Sequence, residues 1–441
     1  MFNLPSYVKE ILRTLTENGY EAYVVGGAVR DFVMGKIPQD FDVTTSACPE
    51  EICSMFAGRK LVEIGKKHGT VGVVCGDTVV EITTYRSDTD YTDHRRPGEI
   101  KFCATLKEDV IRRDFTVNAL AFDGDKIIDL CGGLDDIKNG VIRAVGDPDK
   151  RFKEDALRMM RALRFSSVLG FTIDKETESA IYRNMELLRL ISKERITTEL
   201  MKLLCGCDVE RIITEYSKVL DVFLPGVERM HGFEHFSMYH IYDVLVHTAK
   251  TVALCPKIPI IRLAALLHDV GKPVCYTQED CGIRHFKGHP KVSLEITKDA
   301  IKNLSLSIEE RELLLFLVEF HDERIESTKE QVKIWMNKYS KEYFNALLHI
   351  KKADAETHSN YNSMQRDSAY KLRQIYDDVT AKNEPYNLSM LAVNGNDIIE
   401  AGCEKGSRVG GILDSLMLRV IAQEIANDKN TLIDFAKREL I

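Results

Sequence analysis

The stretch that decides the fold of the first domain reads Gly26-Gly27-Ala28-Val29-Arg30-Asp31 and is followed by Asp40-Phe41-Asp42. It comes after a short β-like run, Tyr23 to Val25, and continues into a helical pattern from Ala28 to Met34. Two glycines let a backbone approach a phosphate closely, and the first turn of a helix offers unpaired N–H groups to it. Arg30 lies in that turn, where its guanidinium would reach the same anion. Alone, Gly-Gly before a helix is more often a plain structural turn.

The two aspartates Asp40 and Asp42 favour a binding site over a plain structural turn. Residues i and i+2 of a strand point to the same side, so the carboxylates of Asp40 and Asp42 would converge while Phe41 faces the core. Two like charges held close together are costly unless a cation lies between them, and Mg²⁺ suits carboxylate and triphosphate oxygens. We therefore predict a Mg²⁺ site, against the alternative of two solvated acids at a strand end. Glu81 is a candidate third ligand on chain order alone; a surface-facing glutamate on an edge strand is an equal alternative.

Up to about residue 145 the sequence alternates short apolar runs with turn signals. The Gly76-Asp77 pair between two β-branched runs is a strong hairpin signal. These features predict an α+β head domain over residues 1–145, a mixed antiparallel sheet with helices. Strands are expected at 41–44, 70–75, 78–84 and 127–130, and Phe115, Val117 and Ala119 alternate as they would in a strand.

From about Lys150 apolar residues recur at intervals of three and four, which predicts long helices, one of them over 151–169. The rest of the chain is therefore expected to be all-α. We divide it into a helical neck (146–225), a helical body (226–380) and a small helical tail (381–441).

The composition favours a globular cytoplasmic protein. The chain has 441 residues, of which 44% are hydrophobic and 29% charged, and it contains no apolar run of membrane-spanning length. Eleven cysteines without a CxxC pair favour reduced thiols. The net charge of −8 argues against a general nucleic-acid coating protein. A local RNA site remains compatible with it, at Arg95-Arg96 with Arg112-Arg113 or within 151–164.

Two further motifs follow the first one in order. The second reads RRDFTVNA at 112–119, and the third reads EDALRMMRALRF at 154–165. Together the three motifs resemble those of the nucleotidyltransferase superfamily, and more closely those of class II tRNA nucleotidyltransferases (CCA-adding enzymes) and bacterial poly(A) polymerases. The resemblance covers residues 20–230 and, more weakly, 388–440.

The resemblance implies roles for single residues. Gly27 and Arg30 would contact the nucleotide, and Arg113 would contact its sugar or phosphates. Asp40 and Asp42 would hold the catalytic metal. The third motif would supply the base reader, formed by Asp155, Arg158, Arg161 and Arg164.

The spacing of that base reader makes physical sense on its own. On one helix, the four residues would follow one face at steps of three. An aspartate accepts a hydrogen bond from the exocyclic amine of cytosine or adenine, and an arginine donates to ring acceptors. Uracil and guanine present a carbonyl there, so the pair would reject them. A solvated, salt-bridged surface helix is the alternative.

A separate region is rich in histidine, because most of the twelve histidines fall between His231 and His321. The LAALLHDVGK stretch at 263–272 resembles the central motif of HD-domain metal phosphohydrolases, in which histidines and aspartates hold one or two divalent metals. The body would then be HD-like, with a divalent transition metal as cofactor, although such bodies can also be purely structural. His247 is a poorer candidate than His240. The expected ligands are His240, His268, Asp269 and Asp354, with His289 and His321 for a second metal.

The resemblance implies an enzyme that adds CCA to the 3′ end of tRNA from CTP and ATP without a nucleic-acid template, by two-metal phosphoryl transfer that releases pyrophosphate. The loop at 88–97 resembles a flexible loop that favours full CCA synthesis, and the tail resembles a tRNA-anchoring domain. The nearest alternative is a poly(A) polymerase or an enzyme that adds only CC or only A. An HD phosphohydrolase with a nucleotide-sensing first domain is the alternative of another class. No membrane partner is expected.

Overall fold

The computed structural model describes residues 4–88, 100–102 and 105–440, and the chain divides into two compact units. Unit 1 comprises Met1–Ile212 and Lys218–Phe223, and unit 2 comprises Ile213–Ser217 and Leu224–Ile441. The strands of unit 1 are β1 (Ala22–Val25), β2 (Asp42–Thr45), β3 (Leu61–Val62), β4 (Thr70–Cys75), β5 (Thr78–Thr84), β6 (Arg86–Asp88), β7 (Ile100–Phe102), β8 (Leu120–Phe122), β9 (Ile127–Asp129), β10 (Val141–Ile142) and β11 (Thr172–Ile173).

Helices surround these strands. Those that lie wholly in unit 1 are α1 (Ser6–Glu17), α2 (Gly27–Val33), α3 (Pro49–Met55), α4 (Leu106–Ile111), α5 (Gly133–Asn139), α6 (Pro148–Glu154), α7 (Leu157–Leu169), α8 (Lys175–Asn184) and α9 (Lys193–Leu204). Two more, α10 (Val209–Glu215) and α11 (Ser217–Asp221), fall where the chain passes between the units.

A seven-stranded sheet in the order β3-β4-β5-β2-β1-β8-β9 carries the first motif. Its neighbours are antiparallel except for β2 and β5, which run parallel. The predicted hairpin is present, because Cys75 pairs with Thr78 around Gly76-Asp77. The mixed sheet with helices, followed by a largely helical remainder, confirms the predicted fold class.

The apolar face of α1 packs onto this sheet. Its side chains Val8, Ile11 and Leu15 are fully buried in one cluster with Val24 of β1 and Ile82 of β5. Burying one such side chain stabilises the fold by about 1.5–3 kcal/mol. This packing keeps the sheet rigid behind the strand ends at which the acidic residues lie.

Two local predictions are wrong, and the edge-strand alternative for Glu81 is excluded. Residues Thr116–Asn118 form a 3-10 turn, and the strand begins only at Leu120, although Phe115, Val117 and Ala119 are buried as expected. The helix expected over 151–169 is two helices, because Asp155 has an extended backbone conformation (φ −145°, ψ 103°) between α6 and α7. β5 lies between β4 and β2, so Glu81 is not on an edge strand.

Unit 2 is mainly helical. Its helices are α12 (Val244–Leu254), α13 (Pro259–Leu267), α14 (Lys272–Cys275), α15 (His289–Ala300), α16 (Ile308–Phe320), α17 (Lys329–Tyr339), α18 (Lys341–Thr357), α19 (Ser363–Ala381), α20 (Gly395–Glu400), α21 (Ser407–Ile421) and α22 (Lys429–Leu440). The strands β12 (Thr277–Gln278) and β13 (Arg284–His285) pair as a short antiparallel ribbon.

The centre of unit 2 is built by α12, α13, α15, α16 and α18, which pack on one another in pairs. The C-terminal helices α20, α21 and α22 have a hydrophobic cluster of their own that includes Ile398, Leu416 and Leu432. Among the helices in the described part of the chain, none combines the length and the apolar character that a membrane crossing requires.

Candidate functional sites

The acidic residues of the first motif lie at the N-terminal end of β2. Asp42 opens the strand and pairs in register with Glu81 of the parallel strand β5. Burial by surrounding atoms and the charge of Glu81 raise the pKa of Asp42 above its ordinary value, and Asp40 adds to this effect while Arg113 opposes it. Asp40 precedes the strand rather than belonging to it. The three carboxylates therefore form an acidic group in which the charged state of Asp42 is disfavoured without a cation.

The glycine turn brings two arginines close to this group. Gly26 has a left-handed backbone (φ 73°), and a Cβ placed on it would lie 3.5 Å from the Nη1 atom of Arg113. A Cβ placed on Gly27 would lie 3.6 Å from the Nη2 atom of Arg30. The two guanidiniums thus flank the start of α2, where N–H groups are free to bind an anion.

A buried aspartate holds the arginine pair of the second motif. Asp109 is fully buried and accepts hydrogen bonds from Arg112 (2.6 and 2.9 Å) and from Arg113 (3.3 Å). Burial alone would raise the pKa of Asp109, but the two arginines hold it below its ordinary value. The hydroxyl of Thr44 in β2 donates to the same carboxylate (3.2 Å). The ionised carboxylate of Asp109 therefore fixes the position of the Arg113 guanidinium.

Asn118 connects the first motif to the second. Its Oδ1 atom accepts a hydrogen bond from Nη1 of Arg30 (2.6 Å), while Asp31 accepts from the other side of the guanidinium (2.7 and 2.9 Å). Arg30 is buried and lies 5.3 Å from the centre of the Phe165 ring. Asn118, which the sequence left open between a structural and a substrate role, fixes the position of Arg30.

The third motif differs from the single helical face that the sequence predicted. Asp155 is not helical; its carboxylate accepts from the N–H of Leu157 and so caps the start of α7. Arg195 donates to the same carboxylate (2.6 and 3.2 Å). Arg158 is buried and donates to Glu154 (2.7 Å) and to the carbonyl of Arg112 (3.0 Å). Asp155 and Arg158, two of the four residues expected to form the base reader, are therefore both engaged with protein partners.

Arg161 and Arg164 pair with a buried acid that the sequence did not single out. Glu199 of α9 lies 3.5 Å from Arg161 and 3.1 Å from Arg164. Arg161 also donates to Asp114 (2.7 Å), and Arg164 lies 3.9 Å from the Phe165 ring centre. Burial and the nearby Arg161 lower the pKa of Arg164 to about 10. Both arginines thus hold α7 to its neighbours.

In unit 2, histidines converge on a single buried aspartate. One carboxylate oxygen of Asp269 lies 3.4 Å from Nε2 of His247 and 3.2 Å from Nε2 of His268. The other lies 3.2 Å from Nε2 of His289 and 3.7 Å from Nε2 of His321. Asp269 therefore lies between two pairs of histidines, one pair for each oxygen.

The other ring nitrogen of each histidine has a fixed partner. The Nδ1 atoms of His268, His289 and His321 lie 2.7, 2.9 and 2.8 Å from backbone carbonyls, and that of His247 lies 2.9 Å from the Thr357 hydroxyl. The ammonium of Lys272 lies 2.6 Å from one oxygen of Asp269. Within the described residues, the Nε2 atoms of His247 and His268 have no hydrogen bond of acceptable geometry. Histidines oriented through Nδ1 with buried, unsatisfied Nε2 atoms are typical of metal ligands.

His247 occupies the place that the sequence gave to His240. Its Nε2 atom lies 2.9 Å from Asp354, and it belongs with His268 and Asp354 to one set of residues that could hold a metal ion. The ring of His240 stacks on His235 with centres 3.8 Å apart. It groups with His247 and His358 as a set that could hold a metal, not with Asp269. The sequence alone does not show which side of α12, and hence which histidine, faces α13 and α18.

The whole chain can be compared with known proteins. Three families match it: the Poly A polymerase head domain over residues 22–143, the "Probable RNA and SrmB- binding site of polymerase A" over 170–230, and tRNA nucleotidyltransferase domain 2 over 291–436. A CCA-adding enzyme of Ligilactobacillus salivarius is 36% identical over 99% of this chain and 98% of its own. The chain belongs to the CCA-adding enzyme family.

Two further relatives are also CCA-adding enzymes. A CCA-adding enzyme of Levilactobacillus brevis is 34% identical over 96% of each chain. The crystal structure of the Bacillus stearothermophilus CCA-adding enzyme in complex with CTP is 30% identical, with a TM-score of 0.73 over 99% of this chain and 98% of that one. This protein is thus a CCA-adding tRNA nucleotidyltransferase, as the motifs predicted. Its nucleotidyltransferase chemistry uses divalent metal.

Within this CCA-adding enzyme, the structure brings together many of the predicted residues. Asp42 and Glu81 are neighbours, and Arg30 and Arg113 flank the glycine turn. Sequence reasoning missed the residues that hold these groups in place, because only tertiary contacts define them. The missed residues in unit 1 are Asp109, Glu199 and Arg195. In unit 2 the sequence also missed Lys272, which pairs with Asp269. The predicted loop residues 89–97, with Arg95 and Arg96, lie outside the described residues.

Proposed function

We propose that this enzyme adds CCA to the 3′ end of tRNA from CTP and ATP, with Asp40, Asp42 and Glu81 as the ligands of Mg²⁺ in the head. The register of Asp42 with Glu81 is the observation that carries the proposal. The raised pKa of Asp42 fits it, because a cation between the carboxylates would remove their repulsion. When bound, Mg²⁺ supplies charge neutralisation at the triphosphate and lowers the pKa of the attacking hydroxyl.

The protein groups around that site position the nucleotide. We assign the triphosphate to the start of α2 at Gly27 and to the guanidiniums of Arg30 and Arg113, which can bind oxygens bidentately. The 3′-hydroxyl oxygen of the tRNA then bonds to the α-phosphorus, and the bond from that phosphorus to the bridging oxygen breaks. Pyrophosphate leaves, and the hydroxyl proton passes to solvent.

Choice of the base is assigned to Asp155 and Arg158. For them to read a base, Asp155 must exchange its contact with Arg195, and Arg158 its contact with Glu154. Arg161 and Arg164 then act through the position of α7 rather than by direct contact, since both pair with Glu199. We propose that the reader becomes available only when a nucleotide enters.

Each of the four segments of the chain has its own role in this proposal. We propose residues 1–145 as the catalytic head, 146–225 as the neck that carries the base reader and contacts RNA, 226–380 as the HD-like body, and 381–441 as the tail that anchors tRNA. The separate hydrophobic cluster of the tail supports treating it as a module of its own. We place the enzyme in the cytoplasm, where its free thiols remain reduced.

The experiment is incubation of the purified full chain with tRNA that lacks its last three nucleotides, with labelled CTP and ATP separately and together. Two cytidines followed by one adenosine are expected. Long adenosine tails, or addition of only one type of nucleotide when both are present, would contradict the proposal. Asp42→Ala should abolish addition while tRNA binding, measured by gel shift, stays close to that of the unmodified enzyme.

We propose a second activity in unit 2, metal-dependent hydrolysis of phosphate esters. His247, His268, Asp269 and Asp354 would hold a divalent transition metal, with His289 and His321 for a second one, and the metal would activate water for attack on the ester. The Nε2 atoms of His247 and His268 that lack a hydrogen bond favour this. His240 becomes a neighbour of the site rather than a ligand. The test is phosphate or nucleotide release from 2′,3′-cyclic AMP by the full chain with Mn²⁺ or Ni²⁺. No turnover under both metals would refute the activity.

A further inference from the structure

A single aromatic ring in unit 1 lies among three arginines. The Cζ atoms of Arg30, Arg161 and Arg164 lie 5.3, 5.2 and 3.9 Å from the centre of the Phe165 ring. A guanidinium within about 6 Å of a ring centre is attracted by the negative charge on the face of the ring, and more strongly where water is excluded. Phe165 is only 9% exposed. The ring thus joins the arginine of the first motif to two arginines of the third.

A neutral ring holds Arg30 without using its hydrogen-bond donors. Arg30 gives three of its five N–H groups to Asp31 and Asn118. Within the described residues it has no other hydrogen bond, so one N–H of each terminal nitrogen is left for an anion. A carboxylate in the place of the ring would occupy these donors and cancel the positive charge, and it would therefore compete with a triphosphate.

Arg164 depends on the ring more than Arg30 does. Its Nε atom lies 3.1 Å from Glu199, and this is its single ion pair in the described part of the chain. Burial and the charge of Arg161 lower the pKa of Arg164 to about 10, and the charge of Arg30 acts in the same direction. The three guanidiniums therefore repel one another, and the negative face of the Phe165 ring offsets part of that repulsion.

The ring also connects two helices that have different proposed roles. Arg30 belongs to α2, at the start of which we place the triphosphate, and Phe165 belongs to α7. The same helix α7 carries Arg158, about two helical turns before Phe165. A helix moves as a unit, so a contact that fixes Phe165 relative to Arg30 also fixes the base reader relative to the triphosphate.

We propose that Phe165 is a positioning residue for the incoming nucleotide, whose ring holds Arg30 in place for the triphosphate and fixes α7 relative to it. The inference rests on the proposed assignment of Arg30 to the triphosphate and deepens it. Phe165 acts through the arginines, without touching the substrate. Because CTP and ATP share the triphosphate, both nucleotides should depend on the ring to the same extent.

The test replaces Phe165 in the full chain by phenylalanines that carry one, two or three fluorine atoms. Fluorine weakens the negative face of the ring in steps and changes its shape little. The dissociation constants of CTP and ATP, measured by calorimetry with Mg²⁺, should rise together with each fluorine, to about fivefold for three. The reason is that an arginine no longer held by the ring must be ordered when the nucleotide binds. Constants that stay level across the series would overturn the proposal, and so would a response of CTP without ATP.

The matched control is the same series at Phe152, a fully buried ring of α6 to which no cation–π contact in the described chain belongs. There the dissociation constants should change less than about twofold. An equal rise in the two series would show a packing effect and refute the role of the ring charge.

Natural side chains give a second readout. Phe165→Leu keeps an apolar side chain but has no ring face, so the KM for CTP should rise about fivefold while kcat stays within about twofold. Phe165→Tyr restores the face and should recover the KM. A fall in kcat with an unchanged KM in Phe165→Leu would contradict a role in nucleotide positioning.

Arg30→Met separates this inference from the function on which it rests. If Arg30→Met weakens CTP binding and the fluorinated series has no effect, the role of the ring is refuted and the triphosphate assignment stands. If Arg30→Met leaves CTP binding unchanged, the triphosphate assignment fails and the inference fails with it.

Discussion

Asp42 lies directly across from Glu81 on two parallel strands, and this is the single parallel pairing in the seven-stranded sheet of the described chain. Parallel neighbours place equivalent ends of the strands at the same edge. An acid at the start of β2 therefore meets an acid inside β5, although nearly forty residues separate them in sequence. In the proposed metal site, β5 would therefore supply Glu81, while the first motif would supply Asp40 and Asp42.

Glu81→Gln removes one negative charge and keeps the shape of the side chain. We expect the rate of CMP addition to fall about 10²–10³-fold, as when one group that stabilises developing charge is lost. Binding of tRNA should change less than twofold. Glu50→Gln, at an exposed position of α3, is the control and should leave the rate intact. A Glu81 variant with normal turnover would place this residue outside the metal site.

Asn118→Ala removes the acceptor that fixes Arg30. A hydrogen bond to a charged group is worth about 1.5–3 kcal/mol, so the KM for CTP should rise roughly tenfold or more. Asn118→Asp retains an acceptor oxygen and should recover most of the loss, which a residue that only fills space would not show. Steady-state kinetics with tRNA ending in its discriminator base measure both, and Asn18→Ala, at the exposed position that follows α1, is the control.

The sequence was sufficient where local signals decide the structure. The Gly76-Asp77 hairpin and the helix that follows the Gly26-Gly27 turn follow from turn chemistry, and both are present. Strand alternation did not apply at Asp40, which precedes β2. The sequence was insufficient where a side-chain hydrogen bond interrupts a helix that the apolar periodicity predicts. Asp155 caps α7 and so breaks an apolar periodicity that contains neither glycine nor proline at that point. The contacts of His247 with Asp269 and Asp354 join segments far apart in sequence, so its position in the chain did not predict them.

Arg158→Ala should loosen the choice of base. The ratio of kcat/KM for CTP to that for UTP should fall at least tenfold, because the guanidinium no longer donates to the ring acceptors of the correct base. Arg158→Lys keeps the charge but loses the fork of donors, so it should show an intermediate loss. Arg183→Ala, which removes an exposed ion pair with Asp149, serves as the control. Unchanged selectivity in Arg158→Ala would refute protein templating by this residue.

Asp109 links pH to stability. Its pKa is lower in the folded chain than in the unfolded one, so the stabilisation it gives is present above about pH 4, the ordinary aspartate value, and is lost as the pH falls through the folded value. Asp109→Asn should therefore unfold more easily at neutral pH and show a shallower loss of stability on acidification. Breaking one partner of a buried ion pair costs about 3–5 kcal/mol. Urea unfolding between pH 3 and 7 measures this, and parallel curves for the two proteins would contradict it.

Asp269 contacts every histidine of the proposed metal cluster, so its substitution tests the cluster most directly. Asp269→Asn keeps the volume of the side chain but removes the negative charge around which His247, His268, His289 and His321 lie and which would help to hold a divalent ion. We expect metal content, measured by mass spectrometry after dialysis against Mn²⁺, to fall to less than half of that of the unmodified chain. The thermal midpoint should lose its dependence on added Mn²⁺, since only a bound ligand stabilises the folded state by mass action. Asp299→Asn, an exposed ion-pair partner of Lys302, should leave both readouts unchanged. CCA addition should also persist, because the acidic group of the head does not involve these residues. Equal metal content in Asp269→Asn and the unmodified chain would mean that the histidines hold the helices together without metal.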